Sequence, residues 1–445
     1  MTTGASLNQR FADAMGQLLG PDFPTDIALA VSGGGDSMAM LTLAHNWAHR
    51  WGTRLWVVTV DHGLRPEAAA EAAMVAEECR LLGHPHATLR WHWDGTGNKM
   101  DQARRARLDL IDRWRGGLQH VLMAHTRDDV AETFLMRLKR GSGVDGLSAM
   151  VDKRALPGRD GPLADADRDG ARPPGERSPN WQVIRPCLDM ARSELRHYLR
   201  TLQGRWVEDP SNDDPAYDRV QMRRLLEVLE AEGFDRKGLA DTAHRLRQDR
   251  QALSVRAAQV WQSAGREDPA GVLSLAPGWF DHVETTTRRR LLGMALRYVA
   301  AAEYGPRAEP LDSLLATVTA GGGGTLHGVE AAYVKGRLTL FREYAAVADS
   351  GVVVGDGQLW DGRWQVSCPD YNGLHLRALG PEGWRQAGEK PAGSVPHRVA
   401  LSLPAIWRGD RLVACDALGV GPGGTTHLCP MGQQTTGFKA FLLSH

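Results

Sequence analysis

Between residues 27 and about 140 the chain alternates short, β-rich apolar runs with longer stretches whose apolar positions recur every three or four residues. The runs "IALAV" (27–31), "RLWVVTV" (54–60), "HATLRWHW" (86–93) and "HVLMA" (120–124) predict strands. Between them, "DSMAMLTLAHNWAHR", "RPEAAAEAAMVAEECRLLG" and "MDQARRARLDLIDRWR" predict helices, the second stopped by Gly83. Strict alternation of this kind predicts an α/β domain whose parallel sheet is covered on both faces. Such sheets bind ligands beyond the C-terminal ends of their strands.

The pattern then changes. Residues 151–180 carry five Pro among Asp, Arg and Gly with no apolar period, which predicts a long surface loop or flexible insert. "RPCLDMARSELRHYLRTLQG" predicts a helix that closes the first domain. From 219 to about 318 the spacing is mostly helical, "GGGG" at 321–324 predicts a turn into a hairpin, and the tail from 351 reads as short strands with Pro-Gly punctuation. Three domains follow: 1–218, a mainly helical 219–350, and a mixed or β-rich 351–445. A chain of 445 residues exceeds one ordinary core, which agrees.

Composition narrows the class. Hydrophobic residues at 42% and charged residues at 24% describe a globular protein, and no run approaches the roughly 18 apolar residues of a membrane span. The first twenty residues lack a signal-type apolar segment, so the cytoplasm is the expected compartment. Five scattered Cys without a CxxC pair suggest neither a disulfide framework nor a zinc ribbon. The formal net charge is +0, so the whole chain offers no electrostatic argument for nucleic acid. Only seven of 53 basic residues are Lys, but an arginine-biased genome explains that as readily as phosphate binding does.

Four stretches carry chemistry. In "SGGGDS" (32–37) the strand ends in Gly33, Gly34 and Gly35, which let the backbone turn tightly, and Asp36 and Ser37 open a helix. Free N–H groups and the positive helix end then form an anion cradle with Ser32 at its edge. GxxxxGKS/T is absent, and GxGxxG fails at Met38. Asp36 beside such a cradle favours a magnesium-bridged pyrophosphate. In "AHTRDDVAETF" a helix starting near Thr126 puts His125, Asp128, Asp129 and Glu132 at spacings of three and four. A capping role explains one of these acids; the set calls for a shared cation or a cationic substrate. "DQARRARLDL" sets Arg104 and Arg107 on one helix face, and "VDHGLRP" ends a strand with Asp61 and His62.

Together these stretches resemble the PP-loop ATP pyrophosphatase superfamily and, within it, the tRNA(Ile)-lysidine synthetases. The similarity continues in "IRP" (184–186), "WVEDPSNDDPAYDR" (206–219), "LHGVEAAYVKGRLTLFRE" and "VPHRVALSLPAIWRGDRLVACDALG", in family order and over most of the chain. Leu108 stands where the family usually has an aromatic, Val220 where it has Asn, and Cys187 where Leu is common.

The resemblance implies a HUP-like PP-loop domain followed by a helical and a β-rich tRNA-binding domain. It implies that ATP activates the wobble cytidine of an isoleucine tRNA with a CAU anticodon, and that free lysine displaces AMP to give lysidine. It further implies that Ser32, Gly33, Gly34, Gly35, Asp36, Ser37, Asp61, His62, Arg104 and Arg107 bind ATP, with Mg2+ on Asp36. Asp128, Asp129 and Glu132 would hold lysine, and Asp36, His125, Asp129 and Glu132 would be catalytic. Arg192, Arg219, Arg223 and Arg224 would meet tRNA. A homodimer is compatible with this reading, and a membrane is not part of it. The rivals are a thiolating PP-loop enzyme, which would be expected to show paired cysteines, and a tRNA-binding protein without turnover.

Overall fold

The computed structural model describes the chain except residues 1–4, 64–65, 94, 97–98, 149, 159–160, 162, 209–217, 355–358, 367–372, 390–394, 431–434 and 445, with only the backbone given at 99–101. The "DPSNDDPAY" part of the resemblance, 209–217, and Cys368 lie outside the described residues. Two compact units are present, Met1–Arg250 and Gln251–His445.

The first unit begins with α1 (Leu7–Leu19), an element outside the predicted alternation. Ser6 caps it by accepting the N–H of Gln9, and Phe11, Met15 and Leu19, four apart, form its buried stripe. Then come β1 (Asp26–Ala30), α2 (Gly35–Trp51), β2 (Arg54–Asp61), α3 (Ala68–Leu82), β3 (His86–Arg90), α4 (Lys99–Trp114), β4 (His120–Met123) and α5 (Arg127–Lys139). These match the predicted alternation, except that β3 stops at Arg90 and leaves "WHW" outside the sheet. The short α6 (Val144–Leu147) leads to β5 (Lys153–Pro157), β6 (Arg168–Gly170) and β7 (Asn180–Ile184), followed by α7 (Arg192–Thr201), α8 (Asp218–Ala231) and the long α9 (Arg236–Ala264), within which the unit boundary falls.

The sheet runs β5-β7-β4-β1-β2-β3-β6. Its five inner strands are parallel, and β5 and β6 close the two edges antiparallel. The stretch 151–180 is therefore not a plain loop: it supplies both edge strands and leads into β7. Its Pro-rich composition hid them because edge strands tolerate Pro and need only one hydrogen-bonding flank. Ile27, Leu29, Leu55 and Val57 are fully buried on one face, each worth roughly 1.5–3 kcal/mol of hydrophobic stabilisation, and Ala28 and Val58 are buried on the other, as strands covered on both faces require. Leu108 packs against the core beneath one face, while Val220 and Cys187 are buried, so all three departures from the family pattern are apolar packing positions.

Strand order reverses at β1. From it the chain steps outward to β2 and β3 on one side, and returns to β4 and β7 on the other. The loops after β1 and β4 therefore leave the sheet in opposite directions and open a crevice between them, which is where an open α/β sheet binds ligands.

The second unit packs α10 (Thr285–Val299), α11 (Ala308–Thr319) and the C-terminal helix Phe438–Ser444 on a five-stranded antiparallel sheet. That sheet contains the expected hairpin, Val329–Val334 paired with Arg337–Arg342. A four-stranded antiparallel sheet, from Gly351–Val353 to Arg411–Ala414, has its own core around Trp360 and Trp364. The three consecutive arginines of α10 have separate roles: Arg290 is buried and donates to Ser254, Arg288 donates to the Val283 carbonyl, and Arg289 pairs with Asp312.

Candidate active site

Val31 ends the first strand's run, and the chain turns through Gly33 at φ +87°, a value that L side chains rarely adopt. Gly34 precedes α2 with no side-chain cap, so the first N–H groups of that helix are left for another acceptor. Ser37 Oγ donates to the Gly34 carbonyl at 2.9 Å and accepts the Ser32 N–H at 3.1 Å, which braces the loop from within. The Val207 N–H ties it from outside by donating to the Gly33 carbonyl at 2.9 Å. A Cβ placed at Gly34 would meet nothing closer than Ser32 Oγ at 3.7 Å, so the turn is open rather than packed.

Asp36 projects from the first turn of α2 and is largely buried. One oxygen accepts Arg192 Nε at 3.0 Å; the other is sealed from solvent and has no partner among the described residues. Burial raises its pKa, and Arg192 opposes that only in part.

Across the switch point, Asp129 caps the start of α5 by reaching back: its Oδ2 accepts the Thr126 N–H at 2.8 Å and the Thr126 hydroxyl at 3.0 Å. Asp129 is therefore the capping acid, yet its other oxygen lies 3.5 Å from Arg192 Nη2. Glu132, one turn on and fully buried, accepts Arg192 Nη1 at 3.1 Å and Arg223 Nε at 2.7 Å, while its Oε2 has no partner among the described residues. Asp128 accepts the Arg192 backbone N–H at 2.8 Å and Arg236 Nη1 at 3.0 Å. Four carboxylates from two helices thus converge on one arginine. Burial pushes Asp129 up, but Arg192, Arg219 and the Thr126 N–H outweigh it and hold the carboxyl below its ordinary value. Arg192 is itself held more firmly protonated, its own burial being outweighed by Asp129, Glu132 and Asp36.

Asp36, His125, Asp128, Arg192, Arg223 and Arg236 border an open cavity of about 1220 Å³, together with Ser32, Gly34, Gly35, Ser37, Asp61, His62 and Arg107 among others, whereas the buried Asp129 and Glu132 sit behind them and do not line it. Its size suits a nucleotide with room for a second substrate. Asp61 accepts the Gly63 N–H at 2.8 Å and so shapes the turn after β2. His62 stacks edge-on against Trp91, and burial, aided by Arg107, pushes its pKa down to about 4. Arg107 reaches the cavity and stays open to solvent there, whereas Arg104, three residues earlier, is exposed and does not line it. Arg219 lies close enough to His125 and Asp129 to influence both, and Arg224 is exposed on α8.

Sequence reasoning assigns Arg192 and Arg223 to tRNA, and the structure sets both among the carboxylates. It misses Arg185 and Arg236. Arg185 stands in the "IRP" motif, directly after β7, and that position at a strand's C-terminal end is the available signal. Nothing local marks Arg236, which meets Asp128 from 108 residues away.

A magnesium ion fits the residues present. Mg2+ needs only one or two protein carboxylates when phosphates supply the rest, and Asp36 has an unpartnered buried oxygen beside an open anion cradle. Among the described residues no group of three or more acidic, His or Cys side chains is arranged to hold a metal ion, the converging carboxylates being taken up by Arg192.

Switch-point crevice, uncapped glycine turn and acidic helix together define a PP-loop enzyme that uses ATP, and residues 7–229 match the PP-loop domain family. The tRNA(Ile)-lysidine synthase of Ruegeria pomeroyi is 37% identical over 431 residues, covering 95% of each chain. That of Wolbachia pipientis wMel is 30% identical and covers 88% of each, and that of a Bradyrhizobium strain is 38% identical over 66% of this chain and 82% of its own. The chain belongs to the tRNA(Ile)-lysidine synthase family, whose members are ligases. No helix among the described residues is long and apolar enough to cross a membrane.

Proposed function

We propose that this chain joins free lysine to the wobble cytidine of an isoleucine tRNA with a CAU anticodon, consuming ATP and releasing pyrophosphate and AMP. The observation that carries the proposal is the facing of two half-sites: an open anion cradle at α2 and a buried carboxylate cluster at α5. One suits a triphosphate and the other an ammonium.

The cytidine carbonyl oxygen attacks the α-phosphorus of ATP, forming an O–P bond as the bond to pyrophosphate breaks. The N–H groups at the start of α2 and the Ser32 hydroxyl receive the charge that builds on the departing phosphates, while Ser37 holds the loop in place for them. Asp36 would hold magnesium, whose chemistry there is charge neutralisation on the phosphates. The lysine side-chain amine then attacks the activated ring carbon, a C–N bond forms, and AMP leaves with the former carbonyl oxygen. The amine must shed a proton, and Asp129 or Glu132 accepts it; among the described residues Glu132 Oε2 is the unpartnered oxygen of the pair. Arg107 grips phosphate, and Asp61 and His62 border the nucleotide. We assign residues 1–218, together with Arg223 and Arg236 that meet the site carboxylates, to catalysis, and the rest of 219–350 and the β-rich 351–445 to tRNA contact, with Arg219 and Arg224 as candidate arginines for it.

The test is incorporation of labelled lysine into wobble-CAU isoleucine tRNA with ATP and magnesium, for wild type and Asp36→Ala. Lysine-dependent labelling with AMP release, lost in the variant, is the expected result. ATP cleavage without lysine incorporation would point to another nucleophile, and neither with intact tRNA would refute the enzymatic reading.

A further inference from the structure

His125 is the one member of the α5 group whose proton position is fixed by geometry. Its Nδ1 lies 3.2 Å from Arg185 Nε, and a guanidinium only donates. Nδ1 must therefore accept. An imidazolium donates from both nitrogens and could not keep this contact, so the ring is neutral and its single proton sits on Nε2.

Arg185 is not free to swing away. Its Nη1 donates to the Val151 carbonyl at 2.6 Å, and its backbone N–H donates to the Asp152 carbonyl at 2.8 Å, so the turn into β5 anchors both ends of the residue. The backbone of His125 is held by the Met123 carbonyl at 2.9 Å. Among the described residues, the charged groups that act most on the ring are Arg185, Arg219 and Arg107, from three different segments, against Asp129. Both Asp129 oxygens are already engaged, one by Thr126 and the other near Arg192. Burial and these cations agree with the geometry and push the ring down to about 3, while Arg185, lowered to about 10 by its own burial, stays charged at neutral pH. Among the described residues Nε2 has no partner, and the ring borders the cavity.

We infer that Arg185 is a positioning residue that locks His125 as the Nε2-protonated neutral imidazole, so that His125 offers the cavity a hydrogen-bond donor and not a base. The three surrounding guanidiniums favour an anionic acceptor, a phosphate oxygen. This role rests on the ligase reading for its meaning, since it leaves proton removal from lysine to the carboxylates, but the tautomer itself does not depend on that reading.

The first test needs no turnover: long-range 1H–15N spectra of the histidine rings in the full chain from pH 5.5 to 8, with His125 assigned by difference against His125→Gln. The expected result is a pyridine-type Nδ1 and a protonated Nε2 with no titration in that range. A protonated Nδ1, or a ring that titrates between pH 6 and 8, overturns the inference. Arg185→Ala should release the ring to a tautomer mixture that titrates, and Arg185→Lys, another pure donor, should restore the single tautomer in part.

Kinetics supply the second test. Arg185→Ala should lose on the order of 10- to 100-fold in kcat/KM, the size expected when the group orienting a functional histidine is removed, and should gain an acid limb near the ordinary histidine pKa. His125→Gln, which keeps a donor, should retain more activity than His125→Ala; equal loss in both would count against the donor role. An effect confined to KM for ATP assigns the acceptor to the nucleotide, and one confined to KM for tRNA assigns it to the tRNA backbone. Wild type inactive with lysine but showing the expected spectra would refute the ligase reading and leave the tautomer standing.

Discussion

Arg192 Nε lies 3.0 Å from Asp36 Oδ2, joining the first turn of α7 to the first turn of α2 across 156 residues of sequence. The same guanidinium reaches Glu132 at 3.1 Å and Asp129 at 3.5 Å. One side chain thus balances the carboxylates of both half-sites, the one proposed for magnesium and the one proposed for lysine. Incoming cations must share those carboxylates with it or displace it from them, which couples the filling of one half-site to the other.

Replacing Arg192 by Ala should therefore destabilise the first unit. Arg192 and its partners Asp129 and Glu132 are largely sealed from water, and leaving such carboxylates uncompensated costs about 3–5 kcal/mol. Glu132 would keep Arg223, which places the expected loss toward the lower end. Arg192→Lys should recover part of it, since an ammonium supplies the charge without the planar fork. Urea denaturation of the three proteins, followed through the first unit's tryptophans, measures the difference; equal stability of wild type and Arg192→Ala would show that the cluster does not depend on this guanidinium.

Asp36 and Asp129 should respond to pH in opposite senses. The folded-state pKa of Asp129 is lowered, so its ionisation stabilises the fold above the unfolded value of 3.8 and that contribution disappears as pH falls through the lower folded value. The folded-state pKa of Asp36 is raised, chiefly by burial, so its ionisation costs stability at neutral pH and the cost is relieved as pH falls through the raised value toward 3.8. Asp36→Asn should accordingly be more stable than wild type at pH 7, with the gap closing on acidification. Asp129→Asn should be less stable at pH 7, with its gap closing only below 3.8. Thermal melts across pH 3–8 test both signs.

The buried thiols should be inert in the native state. Burial pushes Cys79 and Cys187 up to about 12 and Cys415 to about 11, so thiolate is scarce at pH 8 and access is closed as well. Brief alkylation followed by peptide mapping should leave these three unmodified until denaturant is added. Early labelling of Cys187 would mean that the core beside Asp36 opens readily.

The switch-point architecture was legible because it rests on local pattern: β-rich runs, helical spacing and a glycine turn before Asp36 each declare themselves within about fifteen residues. His125, Asp128, Asp129 and Glu132 could be grouped for the same reason, being one helix start. What escaped depends on contacts distant in sequence. Arg192, Arg223 and Arg236 approach the acids from 60 to 108 residues away, and among 46 arginines nothing local separates a buried partner from a solvated one. β5, β6 and β7 were obscured by the Pro and Gly around them, because the hydrogen bonds that make them strands belong to β3, β4 and each other.

Those edge segments make the last prediction sharp. After α4 the chain turns through Gly116 at φ +55°, and a Cβ there would sit 2.7 Å from the Pro173 carbonyl oxygen and 3.0 Å from that of Pro174. Around it, the Gly117 N–H donates to the Pro174 carbonyl at 3.0 Å, Trp114 Nε1 to the Ala171 carbonyl at 2.9 Å, and the fully buried Arg115 to the carbonyls of Leu118 and Ser178. Backbone faces backbone on both sides, so neither can yield without breaking those bonds. Gly116→Ala should then cost about 1–3 kcal/mol through strain and lost strap contacts. Gly16 provides the control: it lies exposed within α1, an added methyl there would meet nothing within 4 Å, and Gly16→Ala should stabilise by roughly 0.5–1 kcal/mol. Opposite shifts in Tm for two identical chemical changes would locate the cost at the strap, and hydrogen exchange at 171–178 should rise in Gly116→Ala alone.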